Sequence, residues 1–325
     1  GAMSCNPAIG GIGKGHIVRE IDALGGVMSM AADYSSIQYK LLNASKGPAV
    51  RGPRCQADRV LYKQAVKKIV REEKNITIIE GMITSLDIKN NKIQGVLINN
   101  QDSISSKSVV LTTGTFLNGV IYRGSDKFSA GRINEKASND LGKYLSSLSL
   151  PVSRLKTGTP PRIKKNSINF DILEEDIADE KPEFFSIETK YVQNKQMPCH
   201  VTWTNKRTHE IIVNSINKSP IYNGSISSRG PRYCPSIEDK VKRFYDKEKH
   251  RIMLEPEGLK SDLIYPNGIS TSLPAEVQKT MIRSIKGLEN AIIHQAGYAI
   301  EYDHMDPRSL KHTLESKVIN GLYFA

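Results

Sequence analysis

Residues 76–114 read ITIIEGMITSLDIKNNKIQGVLINNQDSISSKSVVLTTG, and the order of elements in this stretch decides the fold class. Ile83 to Lys89 and Lys92 to Ile98 flank Asn90-Asn91. Asparagine tolerates the left-handed backbone that a two-residue hairpin turn requires, so the pair predicts a β-hairpin. Residues 76–79 form a short apolar run expected as a strand, and 108–113 read as a buried strand closed by Gly114. Just upstream, 57–73 reads as a helix: Leu61, Ala65 and Ile69 recur every four residues, and Lys63, Lys67, Lys68 and Arg71 lie mostly off that stripe. Helix, strand, hairpin, strand is the order of an α/β nucleotide-binding domain carrying a β-hairpin excursion.

Upstream, Cys5 to His16 is a glycine-rich loop (CNPAIGGIGKGH) with no strand before it. A helix is expected after it, with Ile17, Ile21 and Leu24 on one face and Gly25-Gly26 as its stop. Downstream, the texture changes near Arg154: 155–162 is turn-rich, 171–183 is acidic, and 190–270 reads as β structure with long loops. Helical periodicity returns over 275–288, and 321–325 closes the chain as an apolar strand that shares a sheet with 109–113.

The chain has 325 residues, 38% hydrophobic and 6% aromatic, enough for two domains or one large one. It lacks the long apolar run of a membrane span, and its first residues do not form a signal peptide. Lys+Arg is 46 against Asp+Glu 34, a net charge of +12. That excess suits an anionic partner, with general solubility as the competing explanation. Cys5, Cys55, Cys199 and Cys234 have neither zinc-site nor CxxC spacing, so no metal site is expected, and a reducing intracellular compartment follows.

Glycines at 10, 11, 13 and 15 before a helix are one way to cradle phosphate. The spacing is nevertheless neither GxGxxG nor a Walker A motif. Cys5 opens this loop near Lys14 and His16, and Cys234 follows Arg229 and Arg232 in a turn-rich segment. Positive neighbours favour a reactive thiolate, and an inert half-buried thiol is the alternative for each. Gly114, at a strand end, is a candidate cofactor contact. The basic residues between 229 and 251 suit a phosphate-tracking surface, with a solvated helix face as the other reading.

Taken together, several segments carry a resemblance. SCNPAIGGIGKGH (4–16), LNASKGPAVR (42–51), LKTGTPPR (155–162), the run from Gly230 to Val241, LEPEG (254–258), YPNGISTSLP (265–274) and GYAIEYD (297–303) closely resemble the glucose-inhibited division protein A family. These are the large subunits of tRNA uridine 5-carboxymethylaminomethyl modification enzymes. The likeness runs along the whole chain, but the chain lacks the family's opening strand and GxGxxG-like fingerprint. The family's flavin loop and helical C-terminal domain also lie outside it, so the chain reads as a core fragment.

The resemblance implies an incomplete FAD-binding Rossmann-like (doubly wound) domain, 1–155 with 312–325, and an inserted mixed α/β lobe, 156–311. It implies FAD, NADH and methylene-tetrahydrofolate as cofactors and co-substrate. The implied partners are tRNA, a GTPase subunit and a second copy of the chain, with no membrane. The compartment would be cytoplasmic, or mitochondrial for a eukaryotic source. The implied reaction builds an aminomethyl-type group on C5 of the wobble uridine, with nitrogen from glycine or ammonium. Family FAD positions fall on Ile83 and Ser138. The NAD-associated segment falls on Gly230-Pro231-Arg232-Tyr233-Cys234-Pro235-Ser236-Ile237-Glu238-Asp239-Lys240-Val241-Lys242-Arg243-Phe244. The catalytic cysteines fall on Cys5 and Cys234. The alternatives are a folate- and FAD-dependent tRNA T-loop uridine methyltransferase and a non-catalytic tRNA-binding fragment.

Overall fold

A computed structural model describes residues 1–100, 102–148, 150–231 and 234–325. The expected hairpin forms: Ile83–Lys89 pairs antiparallel with Lys92–Ile98, Lys89 opposite Lys92. Asn90 and Asn91 take φ of 51° and 56°, the left-handed pair whose twist matches that of the strands. Asp102–Ser105 adds a third strand. Leu86, Ile93 and Ile98 turn inward, and the first two join a cluster with Leu141 and Leu145 of the helix Asn139–Ser147. Leu322–Phe324 pairs in parallel with Val109–Leu111, so the closing strand shares a sheet with the earlier one as expected.

The run 76–79 is not a strand. Ile76, Ile78 and Ile79 are 48%, 56% and 56% exposed, and no described strand pairs with them. β propensity alone does not make a strand when no ladder receives its backbone groups. Val110 is likewise 60% exposed, leaving one face of the parallel pair bare.

The N-terminal residues build a separate antiparallel sheet in which Gly52–Ala57 lies between Ala8–Gly10 and Ser36–Leu42. The glycine-rich loop therefore contains a short strand. Gly10 is required there: its φ is +83°, and a Cβ would lie 2.3 Å from the Pro53 carbonyl oxygen and 2.5 Å from the Phe185 ring. The helix Gly15–Ala23 stops at Gly25-Gly26 as expected. Its apolar stripe faces solvent, however: Ile17, Ile21 and Leu24 are exposed, while Val18 packs with Ala31, Ala32, Tyr39, Cys55 and Phe185. Arg59–Glu72 is the helix expected at 57–73, capped by Asp58, whose carboxylate accepts from Val60 N and Leu61 N.

The middle of the chain forms a six-stranded antiparallel sheet. Its order is Glu174–Asp176, Cys199–Trp203, Arg251–Pro256, Leu263–Asn267, Arg162–Lys164, Ile293–Gln295. Lys206–Asn214, Ile237–Arg243 and Ala275–Arg283 contribute helical residues to its apolar core. The first two helices interrupt the stretch expected to be β with loops, and each begins with a capping box, Asn205/Thr208 and Ser236/Asp239. A further sheet pairs Val152–Thr159 with Tyr298–Met305 and then Val120–Arg123. One apolar cluster thus draws on residues 163–293, another on 83–152 and 305–324, and a third on 3–66 with Phe184 and Phe185.

Candidate active site

Cys5 and Cys234 lie 153 and 76 residues from Gly158 in sequence, yet their sulfurs stand 3.6 and 3.7 Å from its carbonyl oxygen. Three elements make this meeting. Val152–Thr159 presents the carbonyl, and the turn preceding the helix Ile237–Arg243 brings Cys234. The loop before Ala8–Gly10 brings Cys5. Both thiols are half-buried, whereas Cys55 and Cys199 are fully buried core thiols, Cys55 pushed up to about 12 by that burial.

A buried charge cluster fixes the Cys5 loop. Glu257 Oε1 accepts from Arg59 Nη2 at 2.9 Å and from Arg162 Nε at 2.6 Å. Arg59 also donates to the carbonyls of Met3 and Cys5, and Arg162 reaches the Cys5 carbonyl at 3.5 Å. Arg162 further bonds Thr159 Oγ1 and the Pro160 carbonyl, and its guanidinium lies 4.7 Å from the Tyr265 ring centroid. Two guanidiniums against one carboxylate leave positive charge under the loop. Tyr265 Oη is 3.0 Å from Cys5 Sγ.

Around Cys234 the balance differs from the expectation that positive neighbours make a thiolate. Burial pushes its thiol up and outweighs the Gly158 carbonyl contact, Lys156 and Lys14. Lys156 is itself buried and pairs with Asp239 at 3.4 Å. Burial works to raise the Asp239 carboxyl, but Lys156, the Tyr222 hydroxyl at 2.8 Å and Ser236 together hold it low.

The 230–244 segment divides. Gly230, Pro231 and Pro235 are exposed on the loop, and Arg232 and Tyr233 lie outside the described residues. Ser236 caps the helix Ile237–Arg243. Ile237 and Val241 are consumed by the apolar core, because a two-turn helix must bury one face. Glu238 is fully buried on Thr271 Oγ1 and Ser272 N with its other oxygen unpartnered, and burial raises its carboxyl. Lys240 Nζ donates to the Gly268 carbonyl. Lys242, Arg243 and Phe244 are exposed. Lysines cover aromatic rings along this edge: Lys242 over Tyr222, Lys247 over Phe244 and Lys249 over Trp203.

Three amides of the glycine-rich loop are already bonded: Gly11 N donates to the Pro53 carbonyl, and Lys14 N and Gly15 N to the Gly11 carbonyl. A second constellation lies elsewhere. Ser138 N donates to the Phe116 carbonyl, and its hydroxyl stands 3.8 Å from Met82 Sδ, next to Ile83. Gly114 takes φ +53° in the loop that carries Phe116, with open space where a Cβ would stand. Arg132 bridges the two constellations, bonding Ser4 Oγ beside Cys5 and lying over the Phe116 ring.

Sequence reading assigned no role to Tyr265, Gly158, Arg59, Arg162 or Glu257, although all but Arg59 lie in segments that carry the resemblance. Only long-range pairing reveals what each does. No described helix is long and apolar enough to cross a membrane.

The family model for "Glucose inhibited division protein A" matches residues 1–325. The form I crystal structure of Aquifex aeolicus GidA superposes with a TM-score of 0.94 at 48% identity, covering 100% of this chain and 55% of that one. The form II crystal gives 0.92 and 47%, covering 100% and 53%. The chain spans about half the length of these structures. Matched along its whole length by sequence and by fold, this chain belongs to the Glucose inhibited division protein A family.

Proposed function

We propose that the whole protein of which this chain forms the matched half is an FAD-dependent enzyme that modifies C5 of the wobble uridine in tRNA. It would work with a GTPase partner, methylene-tetrahydrofolate and NADH, as a homodimer in the cytoplasm or a mitochondrion. The observation that carries this reading is the pair of half-buried thiols on one carbonyl, beside a positively charged Arg–Glu–Arg cluster.

A pyrimidine C5 is a poor nucleophile until a thiolate adds to C6. In that step the S–C6 bond forms and the C5–C6 π pair moves to C5 and O4. After C5 has gained its substituent, loss of the C5 proton re-forms the double bond and expels the thiolate. Of two adjacent cysteines, one serves as the nucleophile and the other handles the proton. The lysine-covered aromatic edge near residues 242–249 supports an RNA partner, since lysines meet phosphate and rings stack on bases.

The residues near Ser138 fit FAD. Gly114 leaves open space, and the partly exposed Met82 offers an apolar face beside Ser138. Met82, Ile83, Gly114 and Ser138 would hold the cofactor, which supplies redox chemistry when bound. The exposed loop residues of 230–244 would meet NADH, while Ile237, Glu238 and Val241 support that loop from inside.

Cys5→Ser and Cys234→Ser in the whole protein test the reading. Serine is close to cysteine in size but barely ionises near neutral pH. Each variant is expected to abolish the modified wobble nucleoside, measured by mass spectrometry of tRNA digests, while flavin content and melting temperature stay close to those of the parent. Near-normal modification in either variant would remove that cysteine from the chemistry.

A further inference from the structure

Tyr265 lies in the strand Leu263–Asn267, 3% exposed, with its hydroxyl 3.0 Å from Cys5 Sγ. Cys5 Sγ is also 3.6 Å from the Gly158 carbonyl, which only accepts. A thiol has one proton. With that proton directed at Gly158, the contact to Tyr265 is an O–H donating to sulfur. The guanidinium of Arg162 over the ring withdraws electron density and strengthens the hydroxyl as a donor. Burial, followed by the neighbouring Cys5, holds the Tyr265 hydroxyl well above its ordinary value, so it remains a donor at neutral pH. No hydroxyl contact of this kind is made to Cys234 among the described residues; its sulfur meets only the Gly158 carbonyl.

The other charged and titratable groups facing Cys5 come from several elements. Arg59 and Arg162 bind its carbonyl with Glu257 between them, Arg132 holds Ser4, and Cys234 and Tyr298 stand close by. All but Tyr265 act on the loop backbone or from a distance. If Cys5 gives up its proton, the Gly158 oxygen turns from partner to repulsive neighbour, and the Tyr265 hydroxyl is the group left bonding the sulfur.

We propose that Tyr265 is a positioning residue for Cys5: its hydroxyl holds the sulfur beside Cys234 and stabilises its anionic form, making Cys5 the attacking thiol. Cys234, kept protonated, then handles the proton. The assignment of attacker rests on the uridine-modification reading, whereas the hydroxyl–sulfur bond does not.

The test is Tyr265→Phe in the full-length protein, with iodoacetamide alkylation of Cys5 and Cys234 followed separately by peptide mass spectrometry across a pH series. The ring is retained, so packing is kept. Cys5 alkylation near neutral pH should fall about tenfold, the scale of one hydrogen bond to a charged group. Its pH profile should move to higher pH while that of Cys234 stays in place. An unchanged Cys5 rate and profile in a folded variant overturns the proposal. If the variant unfolds, seen as alkylation of the core thiols Cys55 and Cys199, 3-fluorotyrosine at position 265 replaces it. This more acidic phenol should move the Cys5 profile to lower pH, and no movement overturns the proposal. Alkylation needs neither tRNA nor flavin, so its failure is distinct from failure of the Cys→Ser modification assay.

Discussion

Around Cys5, charged side chains from separate elements pin backbone carbonyls, and Arg59 and Arg162 share the Glu257 carboxylate. Around Ser138 the contacts are one backbone hydrogen bond, a weak hydroxyl–sulfur contact and open space at Gly114, with exposed Ile76, Ile78, Ile79 and Val110 on neighbouring segments. Chemistry that depends on placing a sulfur within a few tenths of an ångström needs rigid support. A surface that accepts a large ring system needs room and apolar area instead. The same chain thus builds a stiff end and an open end.

Glu257→Gln should break the stiff end most severely. It leaves the buried Arg162 and the part-buried Arg59 without a counter-charge, a loss of about 3–5 kcal/mol. The melting temperature should drop by about 5–10 °C. Differential scanning calorimetry reads this directly, and a melting temperature like that of the unsubstituted chain would mean that the cluster contributes no stiffness.

A smaller effect comes from His250, which directly precedes the strand Arg251–Pro256. Burial, then His209 at 5.3 Å between ring centroids, then Lys240 and Lys247, lower it from 6.5 to about 4. Its Nε2 has no hydrogen-bond partner among the described residues. Because the folded form resists a proton that the unfolded chain accepts, stability is lost as pH falls from 6.5 towards about 4. With allowance for solvent screening the loss is about 1–2 kcal/mol. Urea midpoints measured across that window should slope less in His250→Gln; equal slopes would place the acid sensitivity elsewhere.

What the sequence made legible is local. Asn90-Asn91 marks its turn, the stripe of Leu61, Ala65 and Ile69 its helix and Gly25-Gly26 a helix stop, because each acts within a few residues. The capping boxes at Asn205/Thr208 and Ser236/Asp239 are equally local and would have revealed the two missed helices. The solvent-facing stripe of Gly15–Ala23 and the strand that failed at 76–79 depend on what packs against them, which periodicity does not contain. At the site, Cys5 and Cys234 stood out by their loop settings. Tyr265 is 260 residues from Cys5, and no spacing rule connects them.

The smallest effect belongs to the open end and is nearly zero. Ile76, Ile78 and Ile79 already face water in this chain, at 48%, 56% and 56% exposure. Burial free energy scales with the apolar area removed from water, and side chains left this exposed contribute little of it. Threonine keeps the β-branched shape while reducing apolar surface. Replacing all three by threonine in the 325-residue chain should therefore change stability by less than about 0.5 kcal/mol per site. Solubility should rise, because exposed apolar side chains favour association. A melting-temperature loss approaching that of Glu257→Gln would show that these isoleucines are packed in solution and that the end read here as open is in fact closed.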